Sequence, residues 1–264
     1  MTNCYALTLA GRLKAMGQSK YQTDGDPRTS GPGFGVTLHP DALLEPLRWR
    51  KPRKVFVDSM ADLLHARVPT AFVAQVWAVM ALTPQHAYQV LTKRPERYEK
   101  VLDGPCGCGG GHLPGIHFRS LVQGHTRRLA PGHQVDLMRQ WPLANVWLGT
   151  SIERDDYVRR ADALRTAPAT TRFLSLEPLL GPLPSLDLEG IDWVIVGAES
   201  GPGYRPLDPD WVRDIRDRCI ALGTPFFFKL QWGGRTPKEG GRTLDGRTWD
   251  ELPEAPTYQP APTC

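Results

Sequence analysis

Short apolar runs rich in β-formers recur along the chain, and each is followed by charged or hydrogen-bonding residues. They are Val55-Phe56-Val57, Tyr88 to Leu91, Val146-Trp147-Leu148, Phe173-Leu174, Trp193 to Val196 and Phe226-Phe227-Phe228, with Val36-Thr37-Leu38 a weaker candidate. Continuous apolar runs fit strands buried on both faces, the condition of a parallel sheet. Helical periodicity lies between them. Phe72, Val76 and Met80 repeat at i, i+4 and i+8 behind Pro69 and Thr70. Asp208-Pro209 forms an N-cap and first-turn pair, Trp211, Ile215 and Cys219 form a stripe, and Gly223 supplies the stop. Tyr157 to Leu164 reads as a short helix. This alternation predicts an α/β fold, a partial (βα) TIM-like barrel of about six or seven parallel strands. An open doubly wound sheet is the competing topology.

With 264 residues and 41% of them hydrophobic, the chain can build a substantial core. Residues 1–252 read as one α/β barrel-like domain. A Gly/His/Arg-rich insertion at 103–140 interrupts it, and a Pro-rich tail covers 253–264. No apolar run reaches the ~18 residues of a membrane span, and no leader opens the chain, so a cytoplasmic protein with no membrane partner is expected. Five cysteines at irregular spacing do not make a disulfide scaffold.

The chemistry concentrates at the ends of the apolar runs. Val57 leads into Asp58-Ser59-Met60, Leu91 into Thr92-Lys93-Arg94, and Leu148 into Gly149-Thr150-Ser151 and Glu153. Leu174 leads into Ser175 and Glu177, Val196 into Gly197 and Glu199-Ser200-Gly201, and Phe228 into Lys229. In a parallel βα fold the C-terminal strand ends share one face, and ligands bind there. Asp58, Lys93, Glu177, Glu199 and Lys229 are therefore the candidate catalytic residues. Mixed charge at one mouth suits a zwitterionic or phosphorylated small molecule. The segment Gly197 to Gly203 reads as a ligand-contacting turn or a plain tight one. It is neither a dinucleotide fingerprint nor a P-loop, because Pro202 and Pro206 interrupt it.

Other groups carry less. Cys106, Cys108, His112 and His117 lack a standard zinc spacing. Cys219 sits on an apolar stripe and reads as a core thiol. Ser59, Ser151 and Ser200 stand in no nucleophile elbow, which argues against a serine hydrolase. Trp49 with Arg48, Arg50, Lys51 and Arg53 forms a basic patch, and with net charge +4 it keeps a nucleic-acid partner in view. A third reading is a divalent-metal hydrolase using Asp58, Glu177 and Glu199.

Several segments in order carry a family resemblance: Asn3-Cys4-Tyr5-Ala6, Phe56 to Leu63, Leu91-Thr92-Lys93-Arg94-Pro95, Asn145 to Gly149, Phe173 to Leu179, Gly197 to Gly201, Phe227-Phe228-Lys229 and Trp232-Gly233. The chain resembles an uncharacterised bacterial and phage family whose members open with a three-cysteine segment. That segment is similar to the cysteine loop of radical S-adenosylmethionine enzymes. The resemblance implies a radical-type partial barrel, with a [4Fe–4S] cluster and S-adenosylmethionine at the strand C-terminal face. It makes Cys4 the last of three metal-binding cysteines, with Tyr5 beside it. It implies a cosubstrate pocket of Ser59, Thr150, Ser151, Glu153, Ser175, Gly197, Ser200 and Gly201, with Glu177 and Glu199. The chain departs from the pattern in that Met1-Thr2-Asn3-Cys4 leaves no room for the first two cysteines. No cluster is expected on the chain as given, and a shifted start is the favoured explanation. Ala198 stands where the family pattern has Gly, and Leu230 separates Lys229 from Gln231.

Overall fold

The computed structural model describes residues 4–105, 109–133, 135–200, 203–230 and 242–254. One parallel sheet contains β1 (Lys54–Val57), β2 (Ala87–Thr92), β3 (Val146–Ser151), β4 (Thr171–Leu176), β5 (Trp193–Gly197) and β6 (Phe226–Leu230). Their spatial order is their sequence order. Right-handed crossovers that always step the same way put the connecting helices on one face and curl the sheet. The result is an α/β half-barrel of six strands. A further hairpin joins β7 (Thr243–Leu244) to β8 (Arg247–Thr248) through Asp245 and Gly246, both at positive φ (52° and 77°), as a two-residue turn of this twist needs.

Val36-Thr37-Leu38 is not a strand. The segment has no ladder partner, Val36 and Leu38 are exposed, and Pro40 opens a 3₁₀ turn directly after it. Three β-formers without a neighbouring edge have nothing to pair with.

The helices are α1 (Tyr5–Ala15), α2 (Thr70–Leu82), α3 (Glu96–Tyr98), α4 (Ile116–Leu129), α5 (Arg159–Arg165) and α6 (Pro209–Leu222). In α6 the sequence signals are all used. The Asp208 side chain accepts the Asp210 N–H, Pro209 opens the first turn, and Gly223 closes the helix at φ 69°. Its buried stripe is Val212, Ile215 and Cys219, with Trp211 only half-buried, so the stripe begins one residue later than the sequence suggests.

The segment 103–140 is more than an insertion, since it supplies α4, the crossover helix between β2 and β3. Phe118, Val122 and Thr126 recur every four residues and are buried. The Phe118 ring stands 5.9 Å from Trp77 of α2 and 5.8 Å from Trp141, edge-on to both. Gly124 and the flanking His and Arg residues dilute that stripe in the sequence.

Strand register decides which residues face which side. In parallel ladders partnered residues share a face. Val90, Leu148, Leu174, Val194, Val196, Phe226 and Phe228 join the main core under the helices. The alternate positions line the concave face. There Trp147, Phe173, Trp193 and Ile195 form a second buried cluster, with Ala87, Leu91 and Phe227 against it. Gly149 is part of this packing: a Cβ there would lie 2.4 Å from the Phe173 ring.

Candidate functional site

The period of two that builds the concave aromatic floor also builds its polar rim. Toward the strand C-termini the concave positions lead to Asp58 just past β1, Lys93 just past β2, and Ser151 at the end of β3 with Glu153 beyond it. Ser175 on β4 leads to Glu177 just past it, Gly197 ends β5, and Lys229 lies on β6. Three groups of contacts occupy this mouth.

At β2 and β3, buried Glu153 pairs with Lys93 on one oxygen and with Arg160 Nη1 at 3.1 Å on the other. Arg160 also donates to the Ser151 carbonyl at 2.8 Å, and its guanidinium lies 4.3 Å from the Tyr157 ring. Arg160 is not among the candidates that the sequence suggests. Its only signal there is its position in the first turn of the short helix after Glu153.

At β4 to β6, Glu177 accepts from Lys229 Nζ at 2.9 Å and from the Ser175 hydroxyl at 3.2 Å. Its carboxylate crosses β5 over Gly197, where a Cβ would stand 3.1 Å from Oε2. Gly197 therefore makes room for Glu177. Tyr5, at the start of α1, belongs to the same group. Burial raises its hydroxyl's proton affinity, Cys4 and Glu177 add to the rise, and Lys229 opposes it. The same hydroxyl donates to the Ser59 carbonyl just past β1 at 2.6 Å. One side chain thus bonds to the end of the first strand within electrostatic reach of the charges just past the fourth and on the sixth. Cys4 is half-buried beside it at the N-terminus of α1.

At β1, Asp58 adopts φ 62°, a left-handed conformation that non-glycine residues seldom hold. Its side chain is exposed, yet neighbouring protein crowds the carboxyl. That crowding, with the Asp62 carboxylate nearby, pushes its carboxyl up to about 6. Asp62 is committed elsewhere. It accepts from Thr92 Oγ1 at 2.8 Å, Arg94 Nη1 at 2.5 Å and the Leu64 N–H at 3.0 Å.

Other expected site residues are placed differently. Thr150 falls on the helix-facing side of the sheet, where its hydroxyl donates to the Thr92 carbonyl at 2.8 Å. Buried Glu199 organises its own loop by accepting from Arg205 Nη2 at 2.6 Å, Nε at 3.0 Å and N–H at 2.9 Å. Ser200 is exposed. Gly201, Cys106, Cys108 and the Trp232-Gly233 pair lie outside the described residues.

Among the described residues no three of His, Cys, Asp and Glu gather closely enough to hold a metal ion. Asp58, Glu177 and Glu199 have separate surroundings, which gives the divalent-metal hydrolase reading no ligand set. A [4Fe–4S] cluster takes several thiolates. Of the described cysteines only Cys4 reaches the mouth, and Cys219 is buried in α6. These residues do not fit a cluster by themselves. Two hollows of about 380 and 300 Å³ open elsewhere, the first lined by Arg165, Arg172 and Asp187, the second by Leu43, Leu44 and Arg128. No described helix is long and apolar enough to cross a membrane.

No curated protein and no solved structure matches the chain. Residues 1–253 match the model of the family described as Protein of unknown function (DUF5131), and the chain belongs to that family.

Proposed function

We propose that the mouth binds a small zwitterionic cosubstrate of the S-adenosylmethionine type, and that the chain is a radical-S-adenosylmethionine-like enzyme of unassigned substrate, free of its cluster in the form given. One observation carries this reading. The Glu177–Lys229 pair and the Glu153–Lys93–Arg160 group stand together at the C-terminal end of a parallel half-barrel, and the Tyr5 hydroxyl lies within electrostatic reach of the first pair. An amino-acid end with a carboxylate and an ammonium needs both charge signs within a few ångströms. The mouth offers Lys93, Arg160 and Lys229 alternating with Glu153 and Glu177, each able to exchange an internal partner for a ligand group. A neighbouring sulfonium would favour the same carboxylates. The buried aromatic floor below keeps water from the underside of the mouth. No chemical step is assigned to the iron–sulfur group, because one thiolate does not hold it. The chain's own part is to position the cosubstrate and keep water out.

Two measurements test the reading. Calorimetric titration with S-adenosylmethionine is expected to give saturable one-site binding. Glu177→Gln is expected to weaken it at least ~10-fold, because the amide keeps an acceptor oxygen but loses the negative charge that attracts the ligand's cationic groups. Absence of binding, or binding indifferent to that substitution, overturns the cosubstrate site. Anaerobic iron–sulfur reconstitution is expected to leave this chain without a cluster, since Cys4 is the one described thiol at the mouth. A cluster at full occupancy overturns that expectation.

A further inference from the structure

The opposite end of the sheet carries a second, separate surface. Arg48, Arg50, Lys51, Arg53 and Lys54 run up to the start of β1, and all five are exposed. Because α4 leads from β2 back to the start of β3, its last turn returns to this same end and adds exposed Arg127 and Arg128. The two segments are neighbours: Leu43 and Leu44, on the turn that precedes Arg48, line one hollow of about 300 Å³ together with Arg128 and Leu129. Among the described residues none of the seven cations forms an ion pair, whereas Arg94, Arg160, Arg205, Arg213 and Arg216 all do. Asp41 and Glu45 are the acids of the adjoining turn, so the surface keeps a clear positive excess.

The strip is held by groups other than its charges. Buried His86 accepts the Arg53 N–H on Nδ1 at 3.2 Å, and its ring stands 5.5 Å from Trp49, edge-on. The Arg53 guanidinium stacks 4.6 Å over Trp49, and the Arg53 carbonyl accepts from Ala87 at 2.9 Å. Backbone and ring contacts thus fix residues 49–53 and leave the charges facing water. A preformed row of unmatched cations binds a polyanion without first breaking internal pairs or ordering a loop. Helix-dipole complementarity accounts for Arg127 and Arg128 at the end of α4, but not for the five cations outside it.

We infer that this face, at the N-terminal ends of β1 to β3, is a docking surface for the phosphate backbone of a nucleic acid. Because Arg53 covers the Trp49 ring, contact goes to phosphates and not to stacked bases, so binding is independent of sequence. The surface lies at the far end of the strands from the mouth and does not rest on the reading of that site.

Fluorescence anisotropy with two labelled duplexes of unrelated sequence tests it. Both are expected to bind alike, with log affinity falling linearly in log salt between about 50 and 200 mM. The triple variant Arg48→Glu, Arg50→Glu and Lys51→Glu is expected to bind at least ~10-fold more weakly. Its salt slope should be shallower by about 0.9 for every phosphate that the protein no longer neutralises. Among the described residues these three side chains enter no ion pair, so an unchanged thermal melt confirms intact folding. The control Lys20→Glu, Arg28→Glu and Arg67→Glu makes the same change of net charge on loops at the mouth end and should leave binding in place. Equal weakening in both variants reduces the effect to net charge and overturns the proposal. So do salt-independent affinity, absence of binding, or capture by phosphatidylserine vesicles with none by the duplexes.

Discussion

Asp58 couples a rare backbone conformation to an unusual charge. A carboxyl pushed up to about 6 keeps its proton in the folded protein over a range where the unfolded chain, near 3.8, has released it. The folded state then binds more protons, so stability falls as pH rises from about 4 to 6 and stays lower above that window. Asp58→Asn removes this dependence, and asparagine tolerates the left-handed backbone. Thermal melts are therefore expected to show the variant equal to the parent below pH 4 and more stable at pH 7. Cys219 makes the opposite case for a titratable group that does nothing. Burial in α6 pushes its thiol up to about 12, so no nucleophilic thiolate exists at neutral pH. Peptide mapping after iodoacetamide should find Cys219 unmodified in the native protein and modified once guanidinium has unfolded it. That residue's inert role was legible in the sequence, because an apolar helical stripe specifies burial. The state of Asp58 was not, since it depends on a φ angle and on the protein crowded around it.

At the level of elements, legibility followed the strength of local signals. The long apolar strands and α6 announced themselves through unbroken hydrophobic runs and through Asp208, Pro209 and Gly223. Helix α4 did not, because Gly124 and clustered His and Arg residues outweigh a stripe of only three buried positions. Its packing makes it structural. Phe118→Ala removes a ring held between Trp77 and Trp141 and is expected to cost about 3–5 kcal/mol, read as a lower denaturant midpoint with an unchanged slope. The concave floor makes the complementary demand. Gly149→Ala forces a methyl group into the Phe173 ring, which is fully buried and has nowhere to move. Overpacking of this kind typically costs ~1–3 kcal/mol, and the same denaturation experiment reads it. A strand glycine looks like a weak point in the sequence; only the neighbouring strand's ring shows why it must be glycine.

At the scale of the whole molecule, a half-barrel leaves its first and last strands unjoined, and nothing in the order of residues indicates what spans them. The charged strand ends could be placed on one face because parallel strands point one way. The contribution of the N-terminus could not, since α1 precedes the first strand and no periodicity ties it to the mouth. The structure puts Tyr5 there, with its hydroxyl on the Ser59 carbonyl after β1 and within electrostatic reach of Glu177 and Lys229. If this hydrogen bond ties α1 across the opening, Tyr5→Phe should act locally. One solvent-reachable hydrogen bond contributes only about 0.5–1.5 kcal/mol, so the thermal midpoint should fall slightly. Amide exchange should accelerate in residues 5–15 and 58–62 and stay unchanged in β3 to β5, whose protection comes from the two cores on either side of the sheet. Exchange that is unaltered in the N-terminal segment would mean that other contacts of α1 hold it in place. Acceleration throughout the sheet would mean that the tie supports the whole half-barrel, and that an open sheet of six strands depends on a cross-mouth contact for its curvature.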